Sequence, residues 1–213
     1  MVRVQSLFIL AALAGSSASP PTLVDHPIAS PVPPVYLDGE WTATHEPPVP
    51  ASTTSASTEV KQQAPMRATV PGDIITDLQR AGVVPDPYHN TNWRDPAFIA
   101  AWNNGTWKYT TEFDTRKSWL PHTGDGGAGG DGGAGGDADA ACTAILLVFD
   151  GIRMGARITL NGVVLGTATN QFVRYKYDVL PHLRSGGDPN VLTVEFDKNI
   201  ATHGRFTYAS QVK

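Results

Sequence analysis

The most regular pattern of apolar and polar positions lies between residues 144 and 179. Ile158 and Leu160 alternate with polar neighbours, Asn161-Gly162 follows, and a second apolar run begins at Val163. Asn-Gly is typical of a type I′ turn, because both central residues of this turn need a positive φ. The pattern therefore predicts two antiparallel strands joined by a tight turn.

The same alternation predicts three further strands that each have one apolar face. Their apolar positions are Val173, Tyr175, Tyr177 and Val179; Trp107, Tyr109, Thr111 and Phe113; and Leu192, Val194 and Phe196. A further strand is expected to begin around Trp41, after the turn signal Asp38-Gly39.

Two short helices are predicted from their terminal residues. Asp73 is placed to cap the first helix, whose apolar positions recur at spacings of three and four, and Gly82 follows its end. Pro96 stands at the first position of the second helix, which Asn104-Gly105 would end. Many short strands with only two helices predict an all-β fold, an antiparallel jelly-roll β-sandwich with long disordered loops.

The first residues combine a basic position with an apolar run. Arg3 precedes the apolar run Val4 to Ala14, and small residues at Ser16 and Ala18 follow it. This order is typical of a secretory signal peptide, and the run is shorter than the ~20 residues of a membrane-spanning helix. We predict a signal peptide at residues 1–18. The mature chain would be secreted or lysosomal or vacuolar, with no membrane attachment.

Composition divides the rest of the chain. Residues 19–34 are rich in proline and predict a linker, and one domain is expected over residues 35–200. Flexible insertions are expected at 45–66, which is rich in Pro, Ser and Thr, and at 121–141, which repeats Gly and Asp. Residues 201–213 predict the tail of a truncated chain.

The net charge and the cysteine content limit the kinds of molecule that the chain is expected to bind. The net charge is -4 and the basic residues are scattered, so nucleic acid is not expected to bind. Cys142 is the single cysteine, so it cannot form a disulfide within the chain. It could be a free thiol or form a disulfide with another chain, and we favour the role of a small buried residue in a strand. Asn104-Gly105-Thr106 predicts glycosylation at Asn104.

No cofactor or metal is predicted. The six histidines show no metal-ligand spacing, and most are expected to lie in solvated loops. The glycines of the 121–141 insertion do not open a helix, which a phosphate-binding loop requires. Calcium binding by its aspartates stays an alternative, although they lack the fixed spacing of calcium loops; they are Asp125, Asp131, Asp137 and Asp139.

No catalytic residue is predicted. Glycoside hydrolysis needs two carboxylates that face each other across a sugar. The chain has five glutamates, which are Glu40, Glu46, Glu59, Glu112 and Glu195. Glu112 and Glu195 fall on the polar faces of predicted strands, where a role in solubility is expected.

Several short blocks nevertheless stand in a recognisable order. They are Leu37-Asp38-Gly39-Glu40-Trp41; Val70-Pro71-Gly72 with Asp77-Leu78; Gly82 to Tyr88 and Asn92; Trp107-Lys108-Tyr109 and Phe113; Phe149-Asp150-Gly151-Ile152; Leu160-Asn161-Gly162, Leu165-Gly166, Asn170 and Phe172; Tyr177-Asp178-Val179; and Asn190 to Phe196. With these blocks, about residues 36 to 197 resemble the N-terminal domain of β-mannosidases of glycoside hydrolase family 2.

The resemblance implies a galactose-binding-like jelly roll. In the family this domain packs on an immunoglobulin-like sandwich and a barrel, and the barrel holds the glutamates that remove terminal β-D-mannose from non-reducing ends. In the family, the acid/base glutamate lies in an Asn-Glu dipeptide, and a Trp-Asp-Trp-Gly motif supplies an aspartate to the active site. Neither motif occurs in this chain. The chain is therefore expected to be inactive alone, as an accessory domain whose partners are those two domains.

Two alternatives stay open. A free-standing carbohydrate-binding module would use loop aromatics such as Trp93 or Trp102 on a β-mannoside-type glycan, although packing is the commoner role of a tryptophan. A partner protein that docks a separately encoded barrel is the other alternative.

Overall fold

The computed structural model describes residues 3–12, 34–47, 64–103, 105–116, 144–153, 155–197 and 199–200, with the backbone alone for 3–12. The strands are β1 (Arg3–Ala12), β2 (Val35–Tyr36), β3 (Gly39–Glu46), β4 (Met66–Val70), β5 (Gly72–Asp73), β6 (Thr106–Phe113), β7 (Ala144–Arg153), β8 (Ala156–Leu160), β9 (Val163–Ala168), β10 (Tyr175–Asp178) and β11 (Asn190–Phe196). The helices are α1 (Ile74–Arg80) and α2 (Pro96–Asn103).

These strands form two antiparallel sheets. The six-stranded sheet has the order β4-β3-β6-β11-β8-β9, and the five-stranded sheet has the order β10-β7-β1-β2, with β5 also paired to β1. Apolar side chains from both sheets form one core cluster, which includes Trp107 and Leu192 from the first sheet and Phe149 and Tyr177 from the second. The predicted all-β antiparallel sandwich with two short helices is confirmed.

The predicted hairpin is confirmed in detail. β8 and β9 pair on either side of Asn161 and Gly162, whose φ angles are 51° and 85°. The register shifts between Ile158 and Thr159, which is a β-bulge or a similar irregularity. Positive φ at both turn residues explains why Asn-Gly stands there.

The alternating strands also bury the predicted faces. In β11 the side chains of Leu192, Val194 and Phe196 are buried and those between them are partly exposed. In β6 the same holds for Trp107 and Tyr109. The period of two thus decided which side chains enter the core.

Both helices begin as predicted. The Asp73 carboxylate accepts hydrogen bonds from the backbone N–H groups of Ile75 and Thr76, each at 3.1 Å, and Gly82 follows α1 with a φ of +72°. Asp95 accepts a bond from the N–H of Ala97 at 2.8 Å at the start of α2. These bonds satisfy backbone donors that have no partner within the helix.

The segment 45–66 differs from the prediction at both of its ends. β3 extends through Glu46 and β4 begins at Met66, so the insertion connects two paired strands. His45 was expected in a solvated loop, but it is buried in β3, and its ring lies 4.7 Å from that of Trp107. The strand alternation that begins at Trp41 carries it into the core, so the expectation for this histidine was wrong.

The predicted signal peptide coincides with β1. Backbone pairing joins β1 to β7 from Arg3, opposite Arg153, to Ala12, opposite Ala144. This pairing concerns the uncleaved chain, so cleavage near residue 18 stays a prediction. The 121–141 insertion with its aspartates, Cys142, Asn104 and the 201–213 tail lie outside the described residues.

Candidate functional site

Two exposed aromatic side chains lie in the loop between α1 and α2. We call residues 85–95 the aromatic loop. Tyr88 is 94% exposed and Trp93 is 53% exposed. Large apolar surfaces that stay in water are more informative than exposed polar ones, because their exposure opposes the hydrophobic effect. The loop is therefore the first candidate for contact with a ligand or a partner.

Asp86 organises the aromatic loop through the backbone. Its carboxylate accepts a bond from the N–H of Tyr88 at 2.8 Å, and its carbonyl accepts from the side-chain amide of Asn92 at 2.8 Å. Asn90 takes a positive φ of 52° between them. A side-chain oxygen that binds a backbone N–H two residues on is the usual Asx turn. The turn fixes the backbone that carries both exposed rings.

The predicted candidate Trp93 lies in this loop with a cation beside it. The guanidinium carbon of Arg94 stands 4.5 Å from the centre of the Trp93 ring. A guanidinium over an aromatic face is a favourable cation–π contact. Trp93 therefore offers an apolar surface next to a positive charge, a combination that suits a polar ligand with an apolar face.

The other predicted candidate, Trp102, lies in α2 and is partly buried against the core. Its carbonyl accepts a hydrogen bond from the ring N–H of Trp107 at 3.1 Å. Its own ring N–H is buried and has no partner among the residues that the structure describes. These contacts favour the packing role for Trp102. No described contact brings the two predicted tryptophans together in one surface.

A buried carboxylate lies beneath this end of the sandwich. We call Asp77 and its partners Thr69, Arg80 and Tyr109 the acidic centre. Asp77 accepts bonds from the N–H of Thr69 at 3.1 Å, from Arg80 at 3.0 Å and from the Tyr109 hydroxyl at 2.9 Å. The centre joins α1 to β4 and β6.

Burial governs the ionisation of the acidic centre. Removal from water raises the pKa of Asp77 above its ordinary value of 3.8, although the bonds from Tyr109, Thr69 and Arg80 oppose this rise. Burial and the neighbouring Asp77 carboxylate also raise the pKa of the Tyr109 hydroxyl, which stays a donor. Sequence reasoning noted Asp77 only within a motif; a polar residue amid the apolar positions of α1 was the available signal.

A second polar cluster, around the buried side chain of Asn190, contacts the turn between β8 and β9. We call Asn161 and Asn190 the asparagine pair. The Asn161 amide donates to the carbonyl of His182 at 2.8 Å and to the Asn190 side-chain oxygen at 2.9 Å, and it accepts from the N–H of Val191 at 2.9 Å. Asn190, fully buried, accepts from the N–H of Arg184 at 2.8 Å and donates to the Thr115 hydroxyl at 2.7 Å. The pair therefore fixes three loops.

Three of the four described glutamates form ion pairs on outward faces. Glu40 lies 3.0 Å from Arg67, with both side chains well exposed. Lys108 lies between Glu46, at 2.5 Å, and Glu195, at 3.7 Å, and the bond that Lys108 donates to Glu46 raises the pKa of Lys108. Glu112 is exposed on β6. These positions bear out the polar faces expected for Glu112 and Glu195; Glu59 lies outside the described residues.

Two further searches cover only what the structure describes. Within the described ranges, no group of three or more His, Cys, Asp and Glu residues is placed to hold a metal ion. No helix in the same part of the chain is long and apolar enough to cross a membrane.

The fold places the chain in the class of antiparallel β-sandwich domains, and the comparisons with known proteins narrow that class. The family described as glycosyl hydrolase 2 galactose-binding domain-like matches residues 50–124 and 135–210. The chain belongs to this family. The resemblance drawn from the sequence blocks is thereby confirmed.

Two of the similar proteins are β-mannosidases of animal and fungal origin. The β-mannosidase of Rattus norvegicus is 29% identical over 136 residues, which cover 62% of this chain and 12% of that protein. β-Mannosidase B of Aspergillus terreus is 28% identical over 130 residues, 61% of this chain and 12% of that protein. The chain thus spans about one eighth of the length of these relatives.

A solved structure shares the fold. The crystal structure of the β-D-mannosidase from Dictyoglomus thermophilum superimposes with a TM-score of 0.54 at 24% identity, and the match covers 76% of this chain and 15% of that chain. This likeness concerns the fold. It agrees with the sandwich described above.

Proposed function

We propose that this chain is the N-terminal accessory domain of a secreted β-mannosidase-like glycoside hydrolase. The reaction of that enzyme would be the hydrolysis of terminal non-reducing β-D-mannose residues. The observation that carries the proposal is the family match together with β-mannosidase relatives that the chain covers over 12% of their length. The immunoglobulin-like and barrel domains of the parent enzyme would be its partners.

The carboxylates support an accessory role. A retaining glycosidase needs two carboxyl groups about 5 Å apart with a sugar between them. In the described ranges, Glu46 and Glu195 instead flank Lys108, and Asp77 is enclosed by donors from the protein itself. This arrangement supports a scaffold role for the chain, with the chemistry supplied by the parent enzyme.

A turnover assay tests this proposal. The purified chain is incubated with an aryl β-mannoside, and release of the aryl group is followed against a buffer blank. We expect no turnover above the blank. Turnover that disappears in Glu112→Gln or Glu195→Gln would overturn the accessory role, whereas turnover that survives both substitutions points to a contaminating hydrolase, and the preparation is repeated from a second host.

A secretion assay tests the proposed address. The full chain and a chain that lacks residues 1–18 are expressed in a eukaryotic host, and the medium is examined for each. We expect only the chain that was expressed with residues 1–18 to reach the medium, and N-terminal sequencing of the secreted domain should begin near Ser19. Equal amounts of both chains inside the cells and none in the medium would contradict secretion.

A carbohydrate-binding module is the second candidate, because the aromatic loop exposes Tyr88 and Trp93. Calorimetric titration with β-linked manno-oligosaccharides measures it directly. Trp93→Ala should abolish any heat of binding, and Phe172→Ala, which removes a 70% exposed ring elsewhere, should leave it unchanged. Equal loss in both variants, or no heat with the unchanged chain, removes this candidate.

A further inference from the structure

β7 is buried on both faces, as expected for a strand in the centre of a sheet. Five consecutive side chains, from Ile145 to Phe149, are at most 4% exposed, so both faces of this strand are covered. A strand of this kind has a neighbour on each side, because unpaired backbone N–H and C=O groups in apolar surroundings cost free energy. β10 pairs with one edge of β7, over residues 175–178. The other edge needs a second strand.

β1 fills that edge over nearly its whole length. Arg3 lies opposite Arg153, Phe8 opposite Val148, and Ala12 opposite Ala144. In the described sheet, β2 and β5 are joined to β7 only through β1. β5 runs directly into Asp73, the residue that caps α1. Loss of β1 would therefore separate β7 from the strands next to α1.

The same ten residues contain the basic position and most of the apolar run of the predicted export signal, so this segment has two predicted roles. Processing near residue 18 would cut the chain between β1 and β2. It would not by itself break the backbone hydrogen bonds between β1 and β7.

We propose that the free edge of β7 is a strand-accepting site whose occupant is the chain's own segment Arg3–Ala12. The segment stays bound in antiparallel register after the chain is cut between residues 13 and 34. This inference does not depend on the proposed hydrolase.

Four double-cysteine variants test the register in the full chain, in a Cys142→Ser background. Opposed residues of an antiparallel pair have Cα atoms about 4.5–5.5 Å apart, which a disulfide can bridge. Arg3→Cys with Arg153→Cys and Ala12→Cys with Ala144→Cys should cross-link. The exchanged combinations, Arg3→Cys with Ala144→Cys and Ala12→Cys with Arg153→Cys, would be about 30 Å apart and should not. The pair Arg157→Cys with Thr167→Cys in the β8–β9 hairpin verifies oxidation and folding.

A cutting experiment tests retention. A protease site is inserted into the 19–34 linker, the folded chain is cut, and the products are separated by size exclusion. We expect the N-terminal fragment to elute with the rest of the chain and the thermal transition to persist. The same chain with Phe8→Pro should lose the fragment, because proline removes a backbone donor from the strand.

Three results would overturn the proposal. The first is cross-linking that is equal in all four pairs or absent from all four while the hairpin control cross-links. The second is release of the fragment after cutting. The third is a Phe8→Pro chain that retains the fragment as well as the unchanged chain does.

Discussion

The acidic centre and the asparagine pair both connect separate elements through hydrogen bonds, but they do so with different chemical groups. Each contains a fully buried polar side chain, Asp77 or Asn190, and ties separate elements together, α1 with β4 and β6 in one case and three loops in the other. The acidic centre uses a carboxylate that only accepts, so its neighbours are all donors. The asparagine pair uses amides that both donate and accept, so it can join carbonyls as well as N–H groups. Only the acidic centre should therefore respond to pH.

The largest expected effect is the loss of the Asp77 carboxylate. Asp77→Ala leaves the hydroxyl of Tyr109 without its acceptor in the interior, and it also removes the acceptor of the part-buried Thr69 N–H. An unsatisfied buried polar group costs about 1–3 kcal/mol, so we expect a loss of roughly 3–4 kcal/mol in the free energy of unfolding. Urea denaturation measures it.

The matched control is Gln79→Ala, which changes an exposed position of the same helix. It should change the free energy of unfolding by less than about 0.5 kcal/mol. If Asp77→Ala is as mild as this control, the acidic centre does not stabilise the fold.

A smaller loss is expected from the asparagine pair. Asn190→Ala removes the acceptor of the Arg184 N–H and the donor to the Thr115 hydroxyl, but both of these residues reach the surface, where water can replace the lost bonds. We expect a loss of about 2 kcal/mol by urea denaturation. The control is Asp188→Ala, an exposed position of the same turn. A loss larger than that of Asp77→Ala would reverse the ranking of the two clusters.

The pH dependence of the free energy of unfolding should differ most clearly between the two clusters. Because the pKa of Asp77 is raised in the folded chain, the folded state holds more protons than the unfolded state between 3.8 and the folded pKa. The contribution of Asp77 to stability therefore falls as pH rises through this window. Asp77→Asn cannot titrate, so the stability of this variant relative to the unchanged chain should rise as the pH increases from 3.8 through the raised folded pKa of Asp77.

The corresponding control is Asn190→Ala, which changes no titratable group. Its stability difference from the unchanged chain should stay level over the same range of pH. A level difference for Asp77→Asn, or one that falls with pH, would show that burial does not raise the pKa of Asp77.

The strands and helix ends could be predicted from the sequence because local rules decide them. Alternation fixed the buried faces of β6 and β11, and turn and cap chemistry fixed Asn161-Gly162 and Asp73. The role of β1 could not be predicted in this way. An apolar run fits both a signal peptide and a strand, and its place in a sheet is known only from the residues with which it pairs.

The candidate site was less predictable than the fold. Both Trp93 and Trp102 could be proposed as candidates from the sequence, yet no local pattern separates a tryptophan in a turn from one that packs on the core. The acidic centre joins residues 32 positions apart through Tyr109 and Asp77, and such contacts depend on the tertiary arrangement. Exposure in the fold, 53% for Trp93 against partial burial for Trp102, distinguishes the two.

The smallest effect on stability is expected in the aromatic loop. Trp93→Ala removes an exposed ring and its contact with Arg94, so the free energy of unfolding should change by less than about 0.5 kcal/mol. Trp102→Ala should cost more than about 2 kcal/mol, because its ring packs on the core. Thermal and urea unfolding of both variants make the comparison. Equal losses would mean that Trp93 is a packing residue too, and the aromatic loop would then cease to be a candidate binding surface.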